Sequence, residues 1–250
     1  GTVGPAGAGG GPRISRPDEG DLMAKYERHF DGREMVMVHD AFRREFGLMA
    51  AVVRQVADGD VARAEVVSDH IDLVAGLLHH HHQAEDDSVW PLLLVRCPEQ
   101  IVPLIQRMED QHASVAATGR KVSEAQAGWR VNAAPGARSV LAGALERLVP
   151  VLTEHLALEE ERVVPVMELH IGMDEWTQIL QKGMEGIDLD GLPLLMGLMF
   201  YEGDPQIIEG VLATVPAELR TGLFARAQEA YAQHAELIYG TATPPRSSEV

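Results

Sequence analysis

Residues 81–91 of the chain read HHQAEDDSVWP, and residues 155–165 repeat much of this pattern as HLALEEERVVP. In both stretches a histidine is followed by a glutamate four residues later and by a proline ten residues later. On an α-helix, residues i and i+4 share one face, with Cβ atoms about 5–6 Å apart. Each stretch can therefore direct an imidazole and a carboxylate to one point, His81 with Glu85 and His155 with Glu159.

Apolar residues at helical spacing surround these two stretches and predict four long helices. We expect them at about residues 33–57, 61–95, 99–125 and 137–168. Pro91 and Pro165 should bend or end their helices, because proline lacks a backbone N–H and clashes with the preceding turn. Alternating strand patterns are absent from the sequence. The expected fold class is all-α, an antiparallel four-helix bundle with additional C-terminal helices.

Two lone histidines lie on the apolar faces of the first and third predicted helices. His39 and His112 are 73 residues apart, and His81 and His155 are 74 residues apart. A lone-histidine helix paired with a His-x-x-x-Glu helix therefore occurs twice, which indicates an internal duplication with pseudo-twofold symmetry. Such a bundle would bring two equal sets of ligands together at its axis, as a two-metal centre requires.

The predicted metal ligands combine imidazole and carboxylate groups. They are His39, His81, Glu85, His112, His155 and Glu159. A set without thiolate suits iron, with manganese or zinc as substitutes. A single histidine on an apolar helix face is more often an ordinary core residue. Four histidines and two glutamates buried in one layer without a metal would carry a heavy desolvation cost, so the joint pattern favours a metal site.

The histidine run at residues 79–82 leaves the register of the second helix ambiguous. His82 with Asp86 has the same i, i+4 spacing as His81 with Glu85, but a shift of one residue turns the pair by about 100°. The apolar positions before the run and the repeat at His155 favour His81. Asp86 and Glu160 are then expected to be solvated or to hydrogen-bond to ligands.

Composition excludes several classes of function. The formal charge is −17 and the pI is near 5.0, so a nucleic acid or an anionic membrane is not an expected partner. Cys97 is the only cysteine, which excludes an intrachain disulfide and a cysteine-based metal cluster. No apolar run approaches the roughly 20 residues that span a bilayer. We expect a cytoplasmic protein.

The regions outside the bundle differ in composition. Residues 1–20 and 241–250 are predicted to be disordered tails. Residues 172–240 are predicted to form a helical extension, with helices at about 176–184, 192–201 and 216–239. We expect these helices to pack on the bundle; a lid over the metal site and a homodimer surface are the alternatives.

In this order His39, HHxxED with WP, His112 and HxxxEE resemble the hemerythrin-like (HHE) cation-binding family over residues 33–168. The resemblance implies two iron ions with a bridging oxo or hydroxo group (Fe–O–Fe). It also implies that Glu85 and Glu159 bridge the irons and that the four histidines are terminal ligands. The implied small-molecule partners are O2, peroxide or nitric oxide. Members of the family include oxygen carriers, redox sensors, proteins handling peroxide or nitric oxide, and iron-responsive domains.

The sequence departs from the oxygen-carrying members at one position. Those proteins have a second histidine one turn after the third-helix histidine, where this chain has Ala116. They also carry His-x-x-x-x-Asp where this chain has His-x-x-x-Glu. The missing nitrogen leaves one metal under-coordinated unless water, Glu109, His82 or another group replaces it. An open position favours peroxide or nitric oxide chemistry, or redox sensing, over oxygen storage.

Three function classes follow from these residues. The first is a non-haem di-iron protein that binds or reacts with a small oxidant; as an enzyme it would be an oxidoreductase, such as a peroxide-decomposing, catalase-like one. The second is a non-catalytic iron-responsive or metal-binding module. The third is a two-metal hydrolase of the helical His-Asp type, but His39-Asp40 comes first in the chain, so the order of that signature fails.

Overall fold

Four long helices form the centre of the structure, a computed structural model that describes residues 29–183 and 190–250. They are α1 (Arg33–Gln55), α2 (Val61–Ala84), α4 (Val102–Arg130) and α5 (Pro135–Arg162), with a π-helix (Glu85–Val89) and the short α3 (Trp90–Arg96) between α2 and α4. Apolar side chains from all four long helices pack into one buried core. The predicted all-α four-helix bundle is confirmed. No helix among the described residues has both the length and the hydropathy needed to cross a bilayer.

The breaks between the bundle helices follow from local sequence. Gly59 has a φ of +76°, a conformation that favours glycine, and it turns the chain after α1. The Asp60 side chain then accepts a hydrogen bond from the Arg63 N–H at 3.0 Å and caps α2. Pro135 occupies the first turn of α5, where a missing N–H costs no hydrogen bond. These short connections keep successive helices adjacent.

The chain does not simply bend or end at Pro91 as predicted. It forms one π-helical stretch first, in which the Trp90 N–H bonds to the Glu85 carbonyl five residues earlier, and then continues as α3. Proline has no N–H to give to the carbonyl four residues before it, so the wider turn accommodates the missing bond. At Pro165 the break falls at Val163, and a separate helix α6 (Val164–His170) follows.

Five further helices form the C-terminal extension. They are α7 (Met173–Gly183), α8 (Leu192–Phe200), α9 (Pro205–Thr214), α10 (Ala217–Arg220) and α11 (Leu223–Tyr239). The predicted helix at 216–239 is split in two, because Gly222 adopts a φ of +69° between α10 and α11. The sequence analysis missed α9, although Asp204 caps it and Pro205 begins it. Met184, placed in the first predicted helix of the extension, lies outside the described residues.

A buried network of charged side chains joins the extension to the bundle. Arg44 on α1 is fully buried; its Nη1 lies 2.5 Å from Glu202 and its Nη2 donates to the Leu198 carbonyl at 2.6 Å. The neighbouring Glu45 accepts from the Tyr231 hydroxyl of α11 at 2.8 Å. Burial alone would raise the pKa of Glu45, but hydrogen bonds and nearby positive charge lower it to about 2. The glutamate therefore stays ionised inside the protein.

The end of the chain is ordered against the bundle, so the predicted disordered tail at residues 241–250 is wrong. The Tyr201 hydroxyl donates to the Pro244 carbonyl at 2.8 Å, and the Ser247 N–H donates to Glu202 at 3.0 Å. A Cβ added at Gly47 would lie 2.9 Å from a methyl carbon of Val250. Specific polar contacts thus hold a segment whose composition is typical of a tail. The tail predicted at residues 1–20 lies outside the described residues.

Gly197 permits the close approach of α8 to α11, and we predict that Gly197→Ala destabilises the protein. An added Cβ would lie 2.7 Å from the Tyr231 Cβ and would overlap the Ala227 carbonyl, and backbone atoms cannot rotate away. The free energy of unfolding, measured by chemical denaturation, should fall by about 1–3 kcal/mol.

The matched control is Gly119→Ala in the interior of α4, where an added Cβ meets nothing within 4 Å. Alanine favours the helix over glycine by up to about 1 kcal/mol, so this variant should be neutral or more stable. Equal changes in the two variants would contradict the tight contact between α8 and α11.

Candidate metal centre

Seven side chains from the bundle converge at its axis in two groups of four metal-binding residues. One group is His39, His81, Glu85 and Glu159; the other is His82, Glu85, His112 and His155. Within each group, one ligand atom of every residue lies within 4.8 Å of the others. All six predicted ligands are therefore brought together, and Glu85 belongs to both groups.

The two oxygens of Glu85 point to different groups. Oε1 lies 3.2 Å from Nε2 of His81, and Oε2 lies 3.4 Å from Nε2 of His112. His81 precedes Glu85 by four residues on the same helical segment, whereas His112 comes from α4. The carboxylate can therefore give one oxygen to each of two adjacent cations.

Glu159 on α5 also lies close to one histidine from each of the two groups. Its Oε2 lies 3.6 Å from Nε2 of His39 and 3.6 Å from Nε2 of His155. Nε2 of His39 also lies 3.2 Å from Nε2 of His81. Two imidazole nitrogens that face each other at this distance suit a cation that accepts both lone pairs.

The donor atoms at the centre are buried without hydrogen-bond partners. Among the described residues, none bonds to Nε2 of His82, His112 or His155, or to either oxygen of Glu85 and Glu159. Buried polar atoms in native proteins nearly always have a partner, and an unpaired buried group is costly. A bound metal ion would satisfy all of these atoms at once. The residues present therefore fit a metal site.

Asp86 and Glu160, which directly follow Glu85 and Glu159 in the sequence, orient the two lone histidines. Nδ1 of His39 donates to Glu160 at 2.8 Å, and Nδ1 of His112 donates to Asp86 at 2.8 Å. A proton held on Nδ1 leaves Nε2 free to bind a metal and raises its basicity. This matched pair of contacts supports the predicted pseudo-twofold symmetry.

Both orienting carboxylates are themselves held in place. Arg43 donates to Glu160 at 3.0 Å, and the indole N–H of Trp90 donates to Asp86 at 3.0 Å. Burial would raise the pKa of Glu160, but the hydrogen bonds from His39 and Arg43 outweigh burial and lower it. Of the two roles predicted for Asp86 and Glu160, the structure shows the hydrogen-bonding one.

His82 lies in the cluster together with His81, so both the predicted ligand and the possible additional ligand are brought to the centre. Adjacent helical residues point about 100° apart; His81 therefore faces His39, while the His82 ring stacks on His112 at a centroid distance of 4.1 Å. The two members of the doublet serve the two different groups. The signal available in the sequence was the doublet itself, three and four residues before Glu85.

His82 is one of the groups named above as a replacement for the nitrogen missing at Ala116, and it lies in the cluster. With His112 and His155 it gives its group three imidazoles. Glu109, the other residue proposed for this gap, is exposed and lies in neither group. The residue that corresponds to His82 in the second stretch is Leu156, which is fully buried. The duplication is therefore not exact at this position.

Burial controls the protonation of the centre. It lowers the pKa of His81 and His82 strongly and that of His155 to about 3, with neighbouring histidines adding to the effect. Burial also raises the pKa of Glu85 to about 8 and that of Glu159 well above its ordinary value. Without a cation, His81, His82 and His155 are therefore neutral near pH 7, and the carboxyl groups of Glu85 and Glu159 hold protons. A metal ion would replace those protons.

We predict that the metal-free protein loses stability as pH rises from 6.5 to 8. Glu85 keeps its proton in the folded chain up to pH about 8 but ionises near 4.5 when unfolded. Over this interval the native state binds more protons, so the free energy of unfolding falls, by about 2 kcal/mol for a shift of this size. The buried histidines have the opposite effect on stability below pH 6.5, because they bind protons in the unfolded chain but not in the folded one. Above their ordinary pKa of 6.5 this effect ends.

Urea denaturation of chelator-treated protein at several pH values tests this. Glu85→Gln should reduce the slope because glutamine does not titrate, leaving the contribution of Glu159, and the metal-loaded protein should show little slope in the same range. Metal-free protein that is equally stable at both pH values would contradict protonated buried carboxyl groups.

We predict that Asp86→Asn weakens metal binding by about 10- to 100-fold, the usual cost of losing a carboxylate that orients a histidine ligand. The exposed neighbour Asp87 provides the matched control, since Asp87→Asn removes the same charge without touching His112. Competition with a metal-binding dye measures both affinities. Equal affinities in the two variants would show that the Asp86 contact with His112 has no effect on the metal.

A comparison with known families agrees with the geometry. The model of the family described as hemerythrin HHE cation binding domain matches residues 31–167, more than half of the chain. No curated protein and no solved structure matches. The matched range contains all seven clustered side chains and both orienting carboxylates, and its histidine and glutamate cluster is a metal-ion site. The chain belongs to the hemerythrin HHE cation-binding family.

Proposed function

We propose that the chain is a non-haem di-iron protein that reacts with a small oxidant, namely O2, peroxide or nitric oxide. The observation that carries this proposal is the shared position of Glu85 between two groups of buried donors. Two groups of ligands that share a carboxylate fit two adjacent ions better than they fit two ions bound at separate, independent sites. Imidazole and carboxylate donors without thiolate suit iron, and bound iron would supply the electrons that reduce the oxidant.

The side chains of the centre would have three different roles: binding one iron, bridging the two irons and orienting the histidine ligands. His39 and His81 would hold one iron, and His82, His112 and His155 the other. Glu85 and Glu159 would bridge the two. Glu160 and Asp86 would keep protons on the Nδ1 atoms of the lone histidines, so that these rings bind through Nε2 in every state of the centre. The surrounding apolar core would keep bulk water away.

Access to the centre favours reaction over oxygen storage. A cavity of about 460 Å³ is lined in part by His81 and Glu85, and it is far larger than a diatomic gas requires. Reversible storage depends on restricting what reaches the bound oxygen. With His82 the second group has three imidazole nitrogens. The preference for reaction over oxygen storage therefore rests on access to the centre and no longer on a missing ligand.

Iron reconstitution with optical spectra of the reduced protein tests the proposal. We expect about two irons per chain and spectral changes on adding O2, peroxide or nitric oxide, with net consumption of peroxide or stable binding of nitric oxide. A stable, reversible O2 adduct without either reaction would indicate a carrier. Iron binding with no response to any of the three would indicate a metal-responsive module.

Two histidine variants test the assignment of the second group. His82→Ala should lower the iron content toward about one per chain, because its group keeps only two imidazoles. His79→Ala removes an exposed histidine from the same run and should retain both irons. Full iron content in His82→Ala, or in His155→Ala, would count against the proposed ligands.

A further inference from the structure

The cavity that reaches the metal centre lies between the bundle and the extension. Helices α1 and α2 form one wall, and α7, α8 and α9 form the other. Its volume of about 460 Å³ falls within the roughly 300–1,000 Å³ typical of small-molecule sites. The range matched by the family covers the bundle, which contains all of the clustered metal-binding side chains. In this chain the extension forms a second layer on the bundle, and the cavity lies between the two layers.

The cavity is elongated and apolar. Its lining follows α1 from Glu34 to Glu45 and α2 from Leu73 to Ala84, which is about 16 Å along each helix at 1.5 Å per residue. Most of the described lining side chains are aliphatic, aromatic or methionine, among them Met35, Phe42, Leu77, Leu180, Leu195 and Met199. A lining of this length and chemistry suits a chain-like apolar molecule.

The few charged groups in the wall disfavour an anion. Glu34 and Glu45 line the cavity, and no lysine or arginine is among its described lining residues. Both carboxyl groups already have partners: the indole N–H of Trp176 donates to Glu34 at 2.6 Å, and the Tyr231 hydroxyl donates to Glu45 at 2.8 Å. A ligand carboxylate would therefore find no lysine or arginine to pair with in the described lining, in a chain of net charge −17.

Metal-binding side chains form part of the wall. Glu85 and His81 both line the cavity, and the His81 side chain is 13% exposed whereas the other six clustered side chains are more deeply buried. A molecule in the cavity would therefore touch the side of the centre that belongs to His39 and His81. Nothing larger than a gas is needed for the small-oxidant chemistry proposed above, so the remaining volume calls for another occupant.

We propose that this cavity binds a neutral apolar organic molecule with an aliphatic chain and holds it against the metal centre. The site adds a second, organic ligand to the small oxidant, and the ligand class is set by the length of the cavity, its apolar lining and the absence of lysine and arginine from its described lining. The binding itself needs no metal. Its effect on the metals rests on the proposed function.

Probe binding to the metal-free protein is the primary test. The neutral fluorophore N-phenyl-1-naphthylamine should bind with increased emission, and 1-decanol should displace it. Decanoate has the same chain length and a negative charge, and it should compete at least 10-fold less well at pH 8. An absence of probe binding, or equal competition by the alcohol and the acid, would overturn the proposal.

Cavity-filling variants locate the binding. Leu195→Trp and Met199→Trp place a larger ring at two lining positions on α8 and should each weaken probe binding at least 10-fold. Leu169→Trp makes the same kind of change at a side chain that is 71% exposed and should bind the probe as the unaltered protein does. Thermal midpoints of all three show which variants remain folded. A folded lining variant with unaltered affinity, or an equal loss in the control, would overturn the assignment to this cavity.

A second measurement separates this inference from the function proposed above. In iron-loaded protein, 1-decanol should shift the absorption spectrum of the centre, because the cavity shares His81 and Glu85 with it. Probe binding in a chain that takes up no iron would leave the cavity site standing and refute the di-iron proposal. Iron uptake without probe binding would refute the cavity site and leave the di-iron proposal standing. Probe binding that leaves the iron spectrum unchanged would refute contact between the ligand and the metal centre.

Discussion

The burial of Glu85 and Glu159 beside each other is the constraint on which the rest of the structure depends. Their four carboxylate oxygens have no hydrogen-bond partner among the described residues, and two ionised carboxylates in such a place would repel strongly. Burial lowers the pKa of His81, His82 and His155, so these neutral imidazoles offer lone pairs but no compensating charge. A cation resolves this conflict, and a proton on each carboxyl group is the substitute when none is bound. Folding and metal binding are therefore linked in this protein.

The predicted internal duplication accounts for much of the centre, and the departures from it distinguish the two groups of metal-binding residues. Each half contributes a lone histidine, a His-x-x-x-Glu pair and a carboxylate that orients the lone histidine of the other half. The π-helix at Glu85–Val89 occurs in the first half only, and His82 has no counterpart because Leu156 takes its place. One position thus has two nitrogen donors and the other has three. A repeated sequence has produced two unequal sites.

Much of the bundle and of the centre could be predicted from the sequence, because helical periodicity and i, i+4 spacing are local. Glu85 and Glu159 were identified in this way, as were their histidine partners. His82 was named only as one of several possible replacements, because helical phase was used to choose one face, whereas the doublet faces two groups. The Arg44 and Glu45 network and the cavity depend on side chains more than 100 residues away, and local spacing carries no information about such contacts. The end of the chain was misjudged for the same reason.

Trp90 gives the centre a property of its own. Its indole N–H donates to Asp86, the carboxylate that also accepts from Nδ1 of His112, and its ring centroid lies 6.0 Å from that of His112. Trp129 lies in the other large apolar cluster, and Trp176 shares the cluster of Trp90 but lines the cavity. An excited indole so close to a paramagnetic ion loses its energy before it can emit. If iron binds at the position that His112 faces, as proposed, it would quench the emission of Trp90, and this tryptophan would report the occupancy of that position.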